Sequence, residues 1–239
     1  MDRTAWFPGR FLGGIALVLG PLLWLAGLFV RHLSLRLPFT AEQLRHFDSL
    51  PFAATWQLAA YVENPALVTA GFALFAAGSA VLCLAFATLA RIVGHGLAVW
   101  GGAMLIATLF SRLYWTGVEQ TAFQLIGPLG LERATEHVLG IYTEISYGPW
   151  LLSVALSCGQ YVGTVLLCVG GYLTGTFGTA RLALLLFAGT LWAGVLKAAQ
   201  VQDLVAIGGL CAVLVPLGVT VLRAGLPEPA RRTRRLVSW

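Results

Sequence analysis

Charge is what this sequence has least of. Of its 239 residues only 10% are Asp, Glu, Lys or Arg, where soluble domains carry roughly a quarter. That shortage excludes a separate water-soluble domain, because no stretch outside the apolar runs could build its own core. Short catalytic motifs are missing as well. There is no GxSxG, P-loop, HxxxH, HExxH or DDxxD pattern, and no nucleophilic Ser or Cys with a His at helical reach. The four cysteines (Cys83, Cys158, Cys168, Cys211) all fall inside apolar runs without CxxC or Cys/His spacing, which fits buried thiols acting as small hydrophobes. The histidines, His32, His46, His95 and His137, include no mid-span pair that could ligate a haem. No cofactor and no metal are expected. Glu136 and His137 with Glu144 come nearest to a divalent-ion site. The formal charge of +5 does not indicate nucleic acid, since the cations are scattered through short loops and one tail with no binding motif behind them.

What the chain does have is apolar length, with 58% hydrophobic residues. A hydrocarbon core of about 30 Å needs roughly twenty helical residues at 1.5 Å each. Six runs qualify: 11–30, 66–90, 97–126, 149–173, 180–201 and 203–223. The expectation is an all-α, polytopic six-helix bundle, one domain over 1–223. A basic tail, 224–239, follows and is expected to be disordered beside the anionic inner leaflet. The run Phe11–Val30 is longer than a signal-peptide core and no small-x-small site follows, so it reads as the first membrane helix. With both termini inside, nine arginines face the cytoplasm, while four arginines and Lys197 face out. The expected location is therefore a bacterial inner membrane, both ends cytoplasmic and the bilayer the first partner. Mid-span Pro21 and Pro216 should kink their helices. Gly101-Gly102 and Gly170-Gly171 mark close helix approach.

Two outer connections read as interfacial amphipathic helices. One starts at Pro51, lines up Phe52, Trp56 and Ala59, and ends at Asn64-Pro65. The other aligns Leu131, Ala134, Val138, Ile141 and Ile145, opposite Glu132, Arg133, Glu136, His137 and Glu144.

The chemistry should lie where polar residues interrupt the spans at helical spacing. Thr108, Arg112, Thr116 and Glu119 share one face of the third span. Ser153, Ser157, Gln160 and Thr164 form a second line, and Thr190, Gly194 and Lys197 a third, with Gln200 and Asp203 just beyond. A guanidinium inside a membrane span is costly unless it faces protein, water or a counter-charge. The three stripes are expected to converge on an outward-facing polar cavity. Arg112, Thr116, Glu119, Ser157, Gln160, Lys197 and Asp203 would bind the anionic head of a small amphiphile, which the protein holds or transports. An alternative is an intramembrane enzyme acting on a lipid or isoprenoid as transferase, isomerase or cyclase, with Glu119 or Glu63 as the acid. A third reading is a non-catalytic subunit docking another membrane protein. Helix pairing alone, with no ligand, would also account for the buried charges.

Overall fold

A computed structural model describes residues 8–50, 52–147, 151–189 and 198–225. All regular structure among the described residues is helical. The helices are α1 (Arg10–Arg36), α2 (Ala41–Ser49), α3 (Ala54–Glu63), α4 (Pro65–Val93), α5 (Gly96–Gln124), α6 (Ile126–Leu129), α7 (Leu131–Tyr147), α8 (Leu151–Leu173), α9 (Thr179–Gly189) and α10 (Val201–Ala224). Five of these segments are long and apolar enough to cross a membrane: α1, α4, α5 with α6, most of α8, and α10. The chain is a polytopic α-helical bundle.

Two packed pairs organise it, and small residues build both. On α1, Gly13, Gly20 and Gly27 recur every seven residues and meet α4, whose Gly71 and Gly78 answer at the same interval. A Cβ at Gly78 would sit 2.6 Å from the backbone nitrogen of Trp24, so the two backbones touch where a side chain would normally stand. The second pair is α5 with α8. There Gly101 abuts the Gly163 carbonyl and Gly170 abuts Ala98. Across the same contact, the Ser111 and Ser157 hydroxyls bond at 2.9 Å and Thr108 donates to the Leu156 carbonyl at 2.9 Å. Close approach maximises dispersion where lipid tails offer no hydrophobic contrast.

Helix α10 closes the bundle against α1, running antiparallel to it. The Arg10 guanidinium donates to the carbonyls of Leu222 (3.0 Å) and Arg223 (2.7 Å), satisfying acceptors in the last turn of α10. The start of α1 and the end of α10 therefore lie at the same end of the molecule. At that end Arg91 also donates to the Pro8 carbonyl at 2.9 Å. Pro21 and Pro216 both lie within uninterrupted helices.

The opposite end carries the short helices. Helix α2 was not anticipated; its start is a reciprocal capping box between Thr40 and Gln43. Helix α3 differs from the one-faced helix read from the sequence. It begins at Ala54, after Pro51, which lies outside the described residues. It buries Trp56, Gln57, Leu58 and Ala60 on more than one side, while Phe52 is exposed. The reason is that it packs on α1, α4 and α7 together, and the Trp56 indole donates to the Leu35 carbonyl at the end of α1 (2.7 Å). On helix α7 the expected stripe holds in part: Ala134 and Val138 are buried and Glu132, Arg133, Glu136 and His137 exposed, but Leu131 is exposed too, Ile141 is half-buried, and the Ile145 side chain lies outside the described residues.

The last two runs join elsewhere than expected. Val201 belongs to α10, and Ala198–Gln200 precede it without helical structure. Gln200 and Asp203 form the capping box of α10, Asp203 accepting from the Gln200 N–H at 2.9 Å. Asp203 is thus a first-turn helical residue and not part of a connection. Described α9 covers eleven residues, about 16 Å.

Candidate functional site

The stripe on α5 turns inward as a unit. Thr108, Arg112, Thr116 and Glu119 are exposed by 1, 5, 7 and 4%, respectively. Their surroundings then separate them into two layers at different depths.

The deeper layer lies at mid-bundle. Arg112 stands two residues past Phe110, the middle of α5; Gln160 two before Val162, the middle of α8; Trp24 one past Leu23, the middle of α1. The Arg112 guanidinium donates through Nη2 to the Gln160 side-chain oxygen, and Gln160 Nε2 donates onward to the Gly189 carbonyl at 2.9 Å. Its carbon centre lies 5.0 Å from the Trp24 ring centre, a cation–π contact. Gln160 is held because Thr164, one turn on, seats against Gly189, whose missing side chain lets α9 come close. These residues wall a cavity of about 30 Å³ between Trp24, Arg112, Gln160, Thr164, Leu185 and Leu210. The lining is otherwise largely aliphatic and aromatic. At that size it has room for about two water molecules.

Two donors at this wall lack an acceptor. Arg112 Nε and Trp24 Nε1 are buried with no hydrogen-bond partner among the described residues. Leaving one buried donor unsatisfied costs about 1–3 kcal/mol, more for a charged group. The site is therefore rich in donors and short of acceptors.

The shallower layer lies about 10 Å further along α5, toward the end carrying α3 and α7. Here Arg31 of α1, Glu119 of α5 and Asp203 of α10 come together, and both carboxylates act on the Arg31 charge. All three are buried. Arg31 also stacks on Phe72 (4.1 Å to the ring centre) and reaches Phe75 (5.3 Å), which itself stacks on Trp24 at 5.4 Å. An aromatic column thus runs from one arginine to the other. Beside it, His32 Nδ1 lies 2.8 Å from the Ala199 carbonyl. A carbonyl can only accept, so this nitrogen carries a proton.

The sequence-derived site residues are therefore distributed. Arg112 and Gln160 line the cavity, with Thr108 and Thr164 from the same two stripes. Thr116 bonds the Arg112 carbonyl on its own helix (2.8 Å) and Ser157 bonds Ser111, so both hydroxyls serve helix packing. Glu119 and Asp203 belong to the shallower layer. Glu63 is exposed at the end of α3. Lys197, Thr190 and Gly194 lie outside the described residues, as does the tail from 226, and the Ser153 side chain is likewise not described. Sequence reasoning missed Arg31, assigning it to an outer loop because the apolar run stops at Val30. The heptad Gly13, Gly20, Gly27, Ser34 carries the α1 contact face past Arg31 and would have placed it in the bundle.

No protein-family description matches this chain, and neither a curated protein nor a solved structure is detectably similar to it.

Proposed function

We propose that this chain is a six-span protein of a bacterial inner membrane that binds, and exchanges across part of the bilayer, a small amphiphile with an anionic head, Arg112 being the anchor. One observation carries the reading: two buried donors without an acceptor, Arg112 Nε and Trp24 Nε1, sit at the wall of one mid-bundle cavity. A wall of donors selects a ligand that only accepts, and a guanidinium beside an indole favours carboxylate, phosphate or sulfonate oxygens. The aliphatic remainder of the lining suits a short hydrocarbon tail. The cavity is small, so binding requires displacement of its contents and some parting of the helices around it.

Parity supports the sixth crossing. The start of α1 and the end of α10 share one end of the molecule, which requires an even number of crossings, and five long helices need one more. The segment 179–200 is the remaining apolar run. The arginine excess at the shared end supports cytoplasmic termini, and α3 and α7 then cover the outer mouth, at the membrane interface. The enzyme alternative gains less: Glu119 does not line the cavity, and Glu63 is exposed at the end of α3.

Calorimetric titration of the full chain in phosphatidylcholine nanodiscs, with empty discs subtracted, tests the reading. The probes are octanesulfonate and octanol, which share a tail and differ in charge. Saturable octanesulfonate binding, at least tenfold tighter than octanol and lost by tenfold or more in Arg112→Gln, is the expected result. A charge-assisted hydrogen bond contributes about 1.5–3 kcal/mol, and 1.4 kcal/mol is tenfold. Equal affinity for the two probes, or for wild type and variant, rejects it.

A further inference from the structure

The cavity at Arg112 is too small for a whole amphiphile. At about 30 Å³ it holds a head group and the first carbons behind it. A methylene is roughly the size of a water molecule, so an eight-carbon chain exceeds that space several-fold. The rest of the tail must leave the cavity, and a larger void lies beside one of its walls. Met104 and Ala107 of α5, with Ala155, Cys158, Gly159 and Val162 of α8, line an apolar groove of about 310 Å³. That is the lower end of the usual size for small-molecule pockets. Ala155, Cys158 and Val162 are exposed on two membrane-length helices, so the groove opens to hydrocarbon.

Thr108 joins the two voids. It lines the cavity, and its hydroxyl donates to two carbonyls of groove residues, Met104 at 3.0 Å and Leu156 at 2.9 Å. Gly159 faces it without a side chain; a Cβ there would lie 3.2 Å from the Thr108 oxygen. We propose that the amphiphile reaches Arg112 from the bilayer through this α5–α8 seam, and that its hydrocarbon tail then lies in the groove. The proposal rests on the anion-binding reading of Arg112. Opening the seam is inexpensive in polar terms. Thr108 gives up the Leu156 carbonyl but keeps that of Met104 on its own helix, so no buried donor is orphaned. The Ser111–Ser157 bond is a hydroxyl pair, and each hydroxyl can turn to a carbonyl of its own helix. The tail, moving between lipid and groove, stays among apolar atoms throughout and meets no desolvation barrier.

The test uses octanesulfonate carrying a photoreactive diazirine at the end of its tail, bound to the full chain in phosphatidylcholine nanodiscs, irradiated and mapped by peptide mass spectrometry. Insertion is expected in 104–107 and 155–162, reduced at least fivefold by excess plain octanesulfonate and to the same degree in Arg112→Gln. Ala155→Phe, which fills the groove from its lipid side, should weaken calorimetric octanesulfonate binding at least fivefold. Val205→Phe, on an exposed α10 position outside the groove, should leave it unchanged. Competable insertion confined to α9 or α10, or wild-type affinity in Ala155→Phe, overturns the tail subsite and leaves the Arg112 site standing. Groove insertion that octanesulfonate does not compete is ordinary lipid contact and overturns it as well. Absence of competable insertion anywhere has the same consequence, and if calorimetric binding is also absent the Arg112 site falls with it.

Discussion

Replacing Gly78 by alanine adds one methyl group at the tightest point between α1 and α4. That methyl would lie 2.6 Å from the Trp24 nitrogen and 2.8 Å from its Cα. Both are backbone atoms, so no rotamer change can relieve them. Ordinary contact begins near 3.4 Å, and the helices must part locally by about 0.8 Å. A gap of that size forfeits roughly a quarter to a half of the dispersion energy of the facing atoms. The comparable cost of overpacking a well-filled core is about 1–3 kcal/mol. For a chain of this length each kcal/mol is worth about 2–4 °C, so thermal unfolding in detergent should fall by roughly 2–12 °C. The control is alanine at Gly208 or Gly117, both within helices, where a Cβ meets nothing within 4 Å. Those variants should unfold at the wild-type temperature or slightly above it, since alanine is the better helix former by up to about 1 kcal/mol. Equal behaviour of Gly78→Ala and Gly208→Ala would refute close backbone contact as the organising feature of α1 and α4.

Three other substitutions probe the polar layers. Gln160→Leu removes the acceptor of the Arg112 hydrogen bond inside the bundle, and should lower stability by about 2–3 kcal/mol in thermal or chemical unfolding; Gln160→Glu, which keeps an acceptor, should lose less. Arg31→Met leaves Glu119 and Asp203 buried without their shared cation and should cost about 3–5 kcal/mol, with Arg31→Met/Glu119→Met recovering part of it. Trp56→Phe keeps the ring but loses the bond to the Leu35 carbonyl, a loss of about 1 kcal/mol that should appear as faster hydrogen exchange at the junction of α1 and α3.

How much of this was readable beforehand varied with the kind of signal. Apolar length located α1, α4, α5, α8 and α10 to within a few residues, because lipid demands continuous helix whatever the tertiary packing. Boundaries drawn from hydropathy alone failed where helices outlast their apolar stretch. Helix α1 continues to Arg36, beyond the last aliphatic run, and Arg31 was lost with that extension. The α5 stripe was legible from its spacing, since a shared helical face is a geometric consequence of 3.6 residues per turn. That it would split into two layers was not legible. Which partner each member meets depends on the rise of α1 and α10 past α5, and spacing within one helix carries no information about that. The Thr40–Gln43 and Gln200–Asp203 boxes were local signals that could have been read, and they would have placed Asp203 at a helix start.

The glycine contacts and the buried charges are one design, because the first sets the geometry of the second. Gly78 lets the α1 backbone approach α4 at Trp24, and Gly27 does the same three residues further along α1, against Phe75. Those two approaches are what stack Trp24 on Phe75 and place both rings between Arg112 and Arg31. A side chain at either glycine would push the rings off the guanidinium groups and remove the cation–π contacts that help hold two desolvated cations. Gly71 acts likewise at the shallower layer, where a Cβ would lie 2.9 Å from the Arg31 side chain. The bundle thus surrounds its arginines with aromatic rings, an amide, carboxylates and aliphatic side chains. Such an arrangement is a costly way to join two helices, since matched apolar residues would pack as well with no desolvation penalty. On the proposed anion-binding reading the guanidinium at mid-bundle has something to receive, and the glycine heptads on α1 and α4 would then serve that site as well as stability.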